Sequence, residues 1–409
     1  MNYDIVIIGG GAAGFFTAIN LAEKNTQLKI AIVERGKDVL SKVKISGGGR
    51  CNVTHACFEP KELTRFYPRG EKELLGPFHQ FCSGDTIAWF EDHGVTLKIE
   101  EDGRMFPDTD SSQTIIDCFV QAAKKAKVQV LTSTSVQQIY KGERGYKLDT
   151  TAGTITCIDL VLTTGSNPKI WDMVEEMGHK IVKPVPSLFT FNIKDERIKD
   201  LMGIATLAEV RVKDTKLEAS GPLLVTHWGM SGPGILRLSA WGARILAEKN
   251  YQFQIVVNWL PQYDKESIKE ELQVIRKEHA KKNVVKRIAI ELPNRLWERL
   301  VVICGIDDQT KWAEVNNKQL ERLSEELTEG VYQVNGKSTF KDEFVTAGGI
   351  ELKEVNFKTM QSKMYGNLYF AGEILNIDAI TGGFNFQNAW TTGYLVAQAI
   401  AEKHLNNEI

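Results

Sequence analysis

The sequence predicts an α/β chain. A parallel Rossmann-type sheet opens the protein, a long insert interrupts it, and residues 341–409 complete it. Three observations predict this. A short apolar strand runs straight into a glycine motif and an apolar helix. A second strand follows and ends in an acid. Near the far end the same texture returns, as a buried strand, a glycine pair and a long apolar helix.

The first observation is the stretch Tyr3–Gly14, YDIVIIGGGAAG. Ile5, Val6, Ile7 and Ile8 read as a buried strand, and Gly9-Gly10-Gly11-Ala12-Ala13-Gly14 is G-x-G-x-x-G in its required context. Gly9 allows the tight turn, Gly11 lets the backbone approach a pyrophosphate, and Gly14 keeps the helix close to the strand. The helix N-terminus then offers free N–H groups and a partial positive charge. The second strand, KIAIVE, ends at Glu34, which lies 20 positions past Gly14 (34 − 14), the spacing at which an acid bonds a ribose hydroxyl. This end of the chain is expected to bind an adenine dinucleotide.

At 409 residues the chain is too long for one small core, and two or three domains are expected. Apolar content of 43% and charged content of 25% fit a globular protein. The net charge of −2 makes no global case for nucleic acid or an anionic membrane. The first strand leaves no room for a signal peptide, and no apolar run approaches the roughly 20 residues that cross a bilayer. The six cysteines have no paired metal spacing, so they are expected to be reduced thiols and no metal is expected. These points predict a cytoplasmic protein.

After Glu34 a loop is expected over Ser41–His55, SKVKISGGGRCNVTH, because three successive glycines continue neither helix nor strand cheaply. Its N–H groups suit an anion nest, with Arg50 as a cationic fork. Residues 60–95 read as helical, and a helix over Ser112–Lys125 is capped by Asp110 or Ser111. Arg104 reads as a substrate contact or a salt-bridged side chain. Residues 128–164, beginning with VQVLT, read as an antiparallel meander that ends in a strand over Ile158–Leu162 and a Thr163-Thr164-Gly165 turn. That layout suits FAD better than NAD. Residues 190–340 read as an insert: β-rich over 190–260, helical over 261–330, with a return strand over 331–340. Within it Ser231 is expected to cap an apolar helix with Pro233 in its first turn. The basic run Lys281-Lys282…Lys286-Arg287 reads as a solvated face, since acids flank it. Residues 1–189 and 341–409 then form the cofactor domain.

Taken together, GGGAAG, KISGGGRCNVTH, DGRMFP, THWGMSGPGIL, TAGGI and YFAGEILNIDAITGGFNFQNAWTTG resemble one family across essentially the whole chain. It is the family of FAD flavoproteins that includes 3-dehydro-bile-acid reductases and is often called aminoacetone-oxidase-like. The resemblance implies a glutathione-reductase-type FAD domain with an inserted β-rich domain carrying a helical sub-domain. It also implies that Gly9, Gly11, Ala13, Gly14 and Glu34 hold the ADP half of a non-covalent FAD. Gly47, Gly49, Arg50, Cys51 and Asn52 would lie along the pyrophosphate and flavin. Thr164, Gly165 and Glu373 would contact the cofactor, and Gly383, Phe384 and Asn385 would flank the isoalloxazine. Ala12, Arg35, Val136 and Gly372 complete the cofactor set.

Cys51 and Cys57 are separated by five residues rather than the four of the disulfide reductases, so a redox disulfide is not expected and Cys51 reads as a packed thiol. No second G-x-G-x-x-G unit exists, so any NAD(P)H must be a transient visitor without its own Rossmann domain. The leading expectation is an FAD-dependent oxidoreductase exchanging hydride with a small organic substrate, including NAD(P)H-linked reduction of a C=C bond. His227 and Arg50 are the candidate catalytic residues, His227 as proton donor. The insert is expected to roof the flavin, since ligand sites favour domain junctions. The alternatives are a tRNA-modifying flavoprotein, which the charge balance argues against, and a non-catalytic flavin-binding regulator.

Overall fold

The computed structural model describes residues 1–286, 290–338 and 345–406. The chain divides into two compact units, one reaching Val185 and resuming at Val345, the other starting at Pro186. Arg287 of the basic run and Phe344, ahead of TAGGI, lie outside the described residues.

The first unit is built on strand Ile5–Ile8, four apolar residues buried on both faces. It pairs in parallel with Ile30–Val33 on one side and Asp159–Leu162 on the other. Gln129–Leu131 extends the first side and Leu368–Phe370 the second, again in parallel. Val355–Asn356 and Gln361–Ser362 finish that second edge antiparallel. Strand order therefore reverses at Ile5–Ile8, and ligands of open α/β sheets bind beyond the carboxyl ends of the strands at such a point.

Helix Ala12–Lys24 lies against helix Phe384–Asn406. The approach is close: a Cβ at Gly393 would sit 2.9 Å from Thr17 Oγ1 and 3.1 Å from the Ala13 carbonyl. Between the elements Phe16 meets Trp89, Trp390 and Phe81 with ring centroids at 4.7, 5.3 and 5.5 Å. Each such pair adds about 0.5–1.5 kcal/mol beyond its area burial.

Helix Ser112–Lys125 stands where its periodicity predicts, and Ser111 supplies the cap, its Oγ accepting from Gln113 N at 3.3 Å. Three local expectations change. Gln129–Leu131 joins the parallel sheet beside Ile30–Val33, leaving Val136–Lys141, Tyr146–Thr150 and Gly153–Cys157 as the three-stranded meander. The reason is its place directly after an amphipathic helix, which completes a β-α-β unit. Residues Ser41–Gly49 form a short helix broken at Ser46, Gly47 and Gly48, with Val43 buried, so the glycines govern only the end of the expected loop. Thr54–His55 is a strand that pairs with Arg104–Pro107. Ser231 does not cap its helix. It closes strand Gly229–Ser231, its Oγ accepts from Thr190 Oγ1 at 2.9 Å, and Gly232 holds the cap position before Pro233.

The second unit is an antiparallel sheet in the order Gly330–Asn335, Gln252–Asn258, Ala205–Val212, Glu218–Val225, Gly229–Ser231, Thr190–Asn192, Lys337–Ser338. Helices Lys265–Glu278, Asn294–Ile303 and Asn317–Thr328 carry the charge-rich sequence. Ile268, Leu272, Trp297, Leu300 and Leu323 bury their apolar stripes in one core with Val210, Ile255 and Tyr332 of the sheet. Asp264 and Ser267 form a reciprocal capping box at the first of these helices, at 2.8 and 3.0 Å.

Candidate functional site

The carboxyl ends of the parallel strands open into a cleft of about 110 Å³, lined by Gly9, Gly11, Glu34, Arg35, Val136 and Thr164 among others. Six of the residues expected to hold the cofactor thus line one cavity. The glycine turn owes its shape to contacts a side chain would destroy. Gly9 has φ +113°, and a Cβ at Gly14 would stand 2.0 Å from the Gly9 carbonyl oxygen. Thr163, which sequence reasoning passed over for its neighbour, locks this turn by donating its hydroxyl to the Ile8 and Gly9 carbonyls, both at 3.0 Å. At Gly11, by contrast, an added Cβ would meet nothing within 4 Å. Glu34 spans the turn from the other side, Oε2 accepting from Gly10 N at 2.8 Å and Oε1 from Gly36 N at 2.7 Å.

The residues present fit a dinucleotide. Thr164 Oγ1 is buried without a partner at the cleft, and Gly11 opens onto space. Thr134 and Asn167 also line the cleft and were missed. Asn167 carried a signal, the Asn-Pro that caps helix Pro168–Glu176, where its side chain accepts from Lys169 N at 3.2 Å.

A second cluster joins Ser46–Arg69 to residues 376–388 of the same unit. Gly47, Gly48 and Gly49 all hold left-handed φ, at +59°, +69° and +86°, and Cys51 follows at +63°. Cys51 is fully buried and burial pushes its thiol up to about 12, so it stays protonated. All six cysteines are free thiols.

Arg50 is not the free fork expected. Its guanidinium meets Glu100 at 2.6 Å and Asp110 at 3.5 Å and lies 3.9 Å over the Phe106 ring. Arg104 is salt-bridged to Asp102 and Glu100, at 2.7 and 3.0 Å. Asn52, with its amide turned to pair both atoms, donates to the Thr54 carbonyl and accepts from Gly383 N, each at 3.0 Å.

Further along, the Tyr67 hydroxyl donates to the Phe384 carbonyl at 2.5 Å. The Phe384 ring is buried and stacks on Phe66 and His55 at 4.2 and 4.7 Å. Asn385 exchanges two hydrogen bonds with Ala379, at 3.0 and 3.1 Å, so its side chain closes the loop ahead of the last helix. Arg69 pairs with the buried Asp378 through two bonds. Glu373 carries a 2.5 Å ion pair from Lys42 and accepts from Thr346 N at 3.2 Å. Gly372 and Gly165 take left-handed φ, +74° and +57°, and Glu373 Oε2 lies 3.6 Å from where a Gly165 Cβ would stand. Ala12 and Ala13 open helix Ala12–Lys24. His227 belongs to the second unit, exposed in the turn after Glu218–Val225. None of the described His, Cys, Asp or Glu residues cluster as a metal site.

The family described as HI0933-like protein Rossmann domain matches residues 3–399. The chain belongs to this family. A ribosomal RNA dihydrouridine synthase of Escherichia coli is 30% identical over 407 residues, covering 97% of both chains. A 3-dehydro-bile acid delta(4,6)-reductase of Clostridium scindens is 24% identical over 410 residues, covering 98% of this chain and 99% of that one. Among solved structures, the 3-ketosteroid delta1-dehydrogenase of Sterolibacterium denitrificans superposes with a TM-score of 0.52 at 11% identity, covering 98% of this chain and all of its own. A quinol-fumarate reductase gives 0.52 at 13% identity, covering 100% of this chain and 72% of that one. The fold is that of flavoprotein oxidoreductases with inserted domains, and the chain is an FAD-dependent oxidoreductase. No described helix is long and apolar enough to cross a membrane.

Proposed function

We propose that this protein reduces a carbon–carbon double bond conjugated to a carbonyl, and that its substrate is a uridine of ribosomal RNA. What carries the reading is the end-to-end 30% identity with a ribosomal RNA dihydrouridine synthase, which covers cofactor unit and insert alike. The bile-acid reductase supports the same bond chemistry, since a uracil C5=C6 bond and a steroid enone both take hydride at the carbon β to a carbonyl. The net charge of −2 describes the whole surface and leaves a local phosphate contact open.

Bound FAD would supply the hydride chemistry, and NAD(P)H would be its transient source. The chain does the holding. Glu34 would accept from the ribose, Thr164 Oγ1 would gain the partner it lacks, and Gly11 would admit the pyrophosphate. Helix Phe384–Asn406 offers the positive end of its dipole at Gly383. His227 remains the proposed proton donor, and replacing it with Ala should slow flavin reoxidation while leaving flavin reduction alone. The test is anaerobic. Flavin is bleached with NADPH or NADH, then offered a ribosomal RNA transcript or a steroid enone, and the RNA is analysed for uridine heavier by two hydrogens. Return of flavin colour with RNA and the mass increment are expected. Return with the enone alone assigns the second reading, a small-molecule reductase, which the 24% relative favours.

A further inference from the structure

Trp228 is a residue that packing in its own unit does not explain. The residue is 57% exposed, more than Trp241 at 43%, whereas Trp259, Trp297 and Trp312 are fully buried. Yet its backbone is held on three sides. Thr226 N donates to the Gly229 carbonyl at 2.8 Å, Trp228 N to Thr226 Oγ1 at 3.2 Å, and Ile193 N to the Trp228 carbonyl at 2.9 Å. Gly229 has φ +144°, and a Cβ there would stand 2.3 Å from the Phe191 carbonyl oxygen. The turn is therefore rigid while the indole it carries stands in water, forgoing the burial free energy such a ring normally contributes. A large, flat side chain displayed on a fixed turn is pre-organised for a planar ligand.

The surroundings narrow the ligand's chemistry. His227 beside it is exposed, and so is Lys194, one residue past the Ile193 that bonds the Trp228 carbonyl. No ion pair is formed by Lys194 among the described residues. A ring, an imidazole and an unengaged ammonium at one end of the sheet match the parts of a nucleotide, a base to stack and a phosphate to neutralise.

We propose that Trp228 is a stacking platform for an unpaired base of the RNA substrate, with Lys194 meeting the adjoining phosphate. This rests on the RNA reading above. Bases in loops and single strands stack on aromatic side chains, whereas bases inside a duplex are already stacked on each other. The platform therefore selects single-stranded RNA.

The test uses FAD-loaded protein, a labelled oligouridylate single strand, and its duplex with oligoadenylate, over a range of salt. Bound-FAD content and melting temperature establish that each variant is folded. Trp228→Ala should weaken single-strand binding roughly 5- to 150-fold, and Trp228→Phe should recover most of it, with duplex binding little changed. Lys194→Gln should lower the slope of log affinity against log salt by about 0.7. If the unmodified protein binds the strand and Trp228→Ala binds it equally well, the platform is overturned while the RNA reading stands. If Trp228→Ala instead changes the oligomeric state and leaves RNA binding alone, the ring is a protein contact and the platform is again overturned. Failure of the unmodified protein to bind or modify RNA overturns both.

Discussion

The cleft beyond the parallel strands and the cluster around residues 376–388 belong to the same unit but are held by opposite means. The cleft is made by backbone. Gly9, Gly11 and Gly14 shape it, Thr163 and Glu34 bond to main-chain atoms, and one buried hydroxyl, Thr164 Oγ1, is left for a ligand. The cluster is made by side chains that find one another across the sequence, among them Arg69 with Asp378 and Thr54 with Gln387. Most of its polar groups pair with one another, and His55 Nδ1 and Asn388 Oδ1 are its buried polar atoms without a partner among the described residues. The first region should therefore lean on a bound cofactor for its shape, whereas side-chain pairs hold most of the second.

The sharpest way to break that contrast is Arg69→Leu. Asp378 is fully buried, so removing the guanidinium takes the charged partner from a buried carboxylate, at a cost of up to about 3–5 kcal/mol. A denaturant midpoint shifted equally with and without FAD would locate the effect in the scaffold. Glu34→Ala tests the other region. With the proposed ribose contact, losing this charged acceptor, which also holds Gly10 N, should cost about 1.5–3 kcal/mol, seen in FAD affinity with a smaller change in the apo-protein's stability. An unchanged FAD dissociation constant would remove Glu34 from the cofactor site.

Gln387→Leu comes next. Its Oε1 accepts from Thr54 and Thr86, at 2.6 and 2.9 Å, and its Nε2 donates to Thr391 at 3.1 Å, all of them buried. Leucine fills similar volume but leaves two hydroxyls short of an acceptor, at about 1–3 kcal/mol by thermal unfolding. Thr54 retains Ser83 at 3.3 Å and Thr86 retains the Cys82 carbonyl at 3.2 Å, which places the value toward the low end.

The same contrast explains what the sequence made legible. The glycine turn, Glu34, the Ser112–Lys125 helix and the returning strand and helix each have determinants within a few tens of neighbouring residues, where periodicity and turn chemistry act. Partnerships such as Lys42 with Glu373, or Thr54 with Gln387, join positions 331 and 333 apart, and no local pattern encodes them. Arg50 shows the cost of that blindness. Its place after three glycines suggested an anion fork, yet Glu100 and Asp110, fifty and sixty positions on, take its charge. Gln129–Leu131 erred differently. Its alternation matched the meander that follows it, and only the β-α-β connection behind it sends it to the parallel sheet.

The smallest effect lies away from both regions and calibrates them. His93 Nε2 donates to Glu23 Oε1 over 3.1 Å, and the ring stacks on Trp89 with centroids 3.9 Å apart. The Glu23 carboxylate raises the imidazole above its ordinary value, outweighing partial burial, which lowers it. A base whose folded-state value is raised binds its proton more tightly in the native chain. The stabilisation is therefore fully present below about pH 6.5 and fades as pH rises through the folded-state value. Because Glu23 is exposed, the pair should contribute only about 0.2–1 kcal/mol. His93→Gln should melt below the parent protein near pH 5.5, by more than it does near pH 8.5, where only the lost stacking remains. A difference that is constant across that range would mean the Glu23 pair is electrostatically silent, and that packing on Trp89 is all His93 provides.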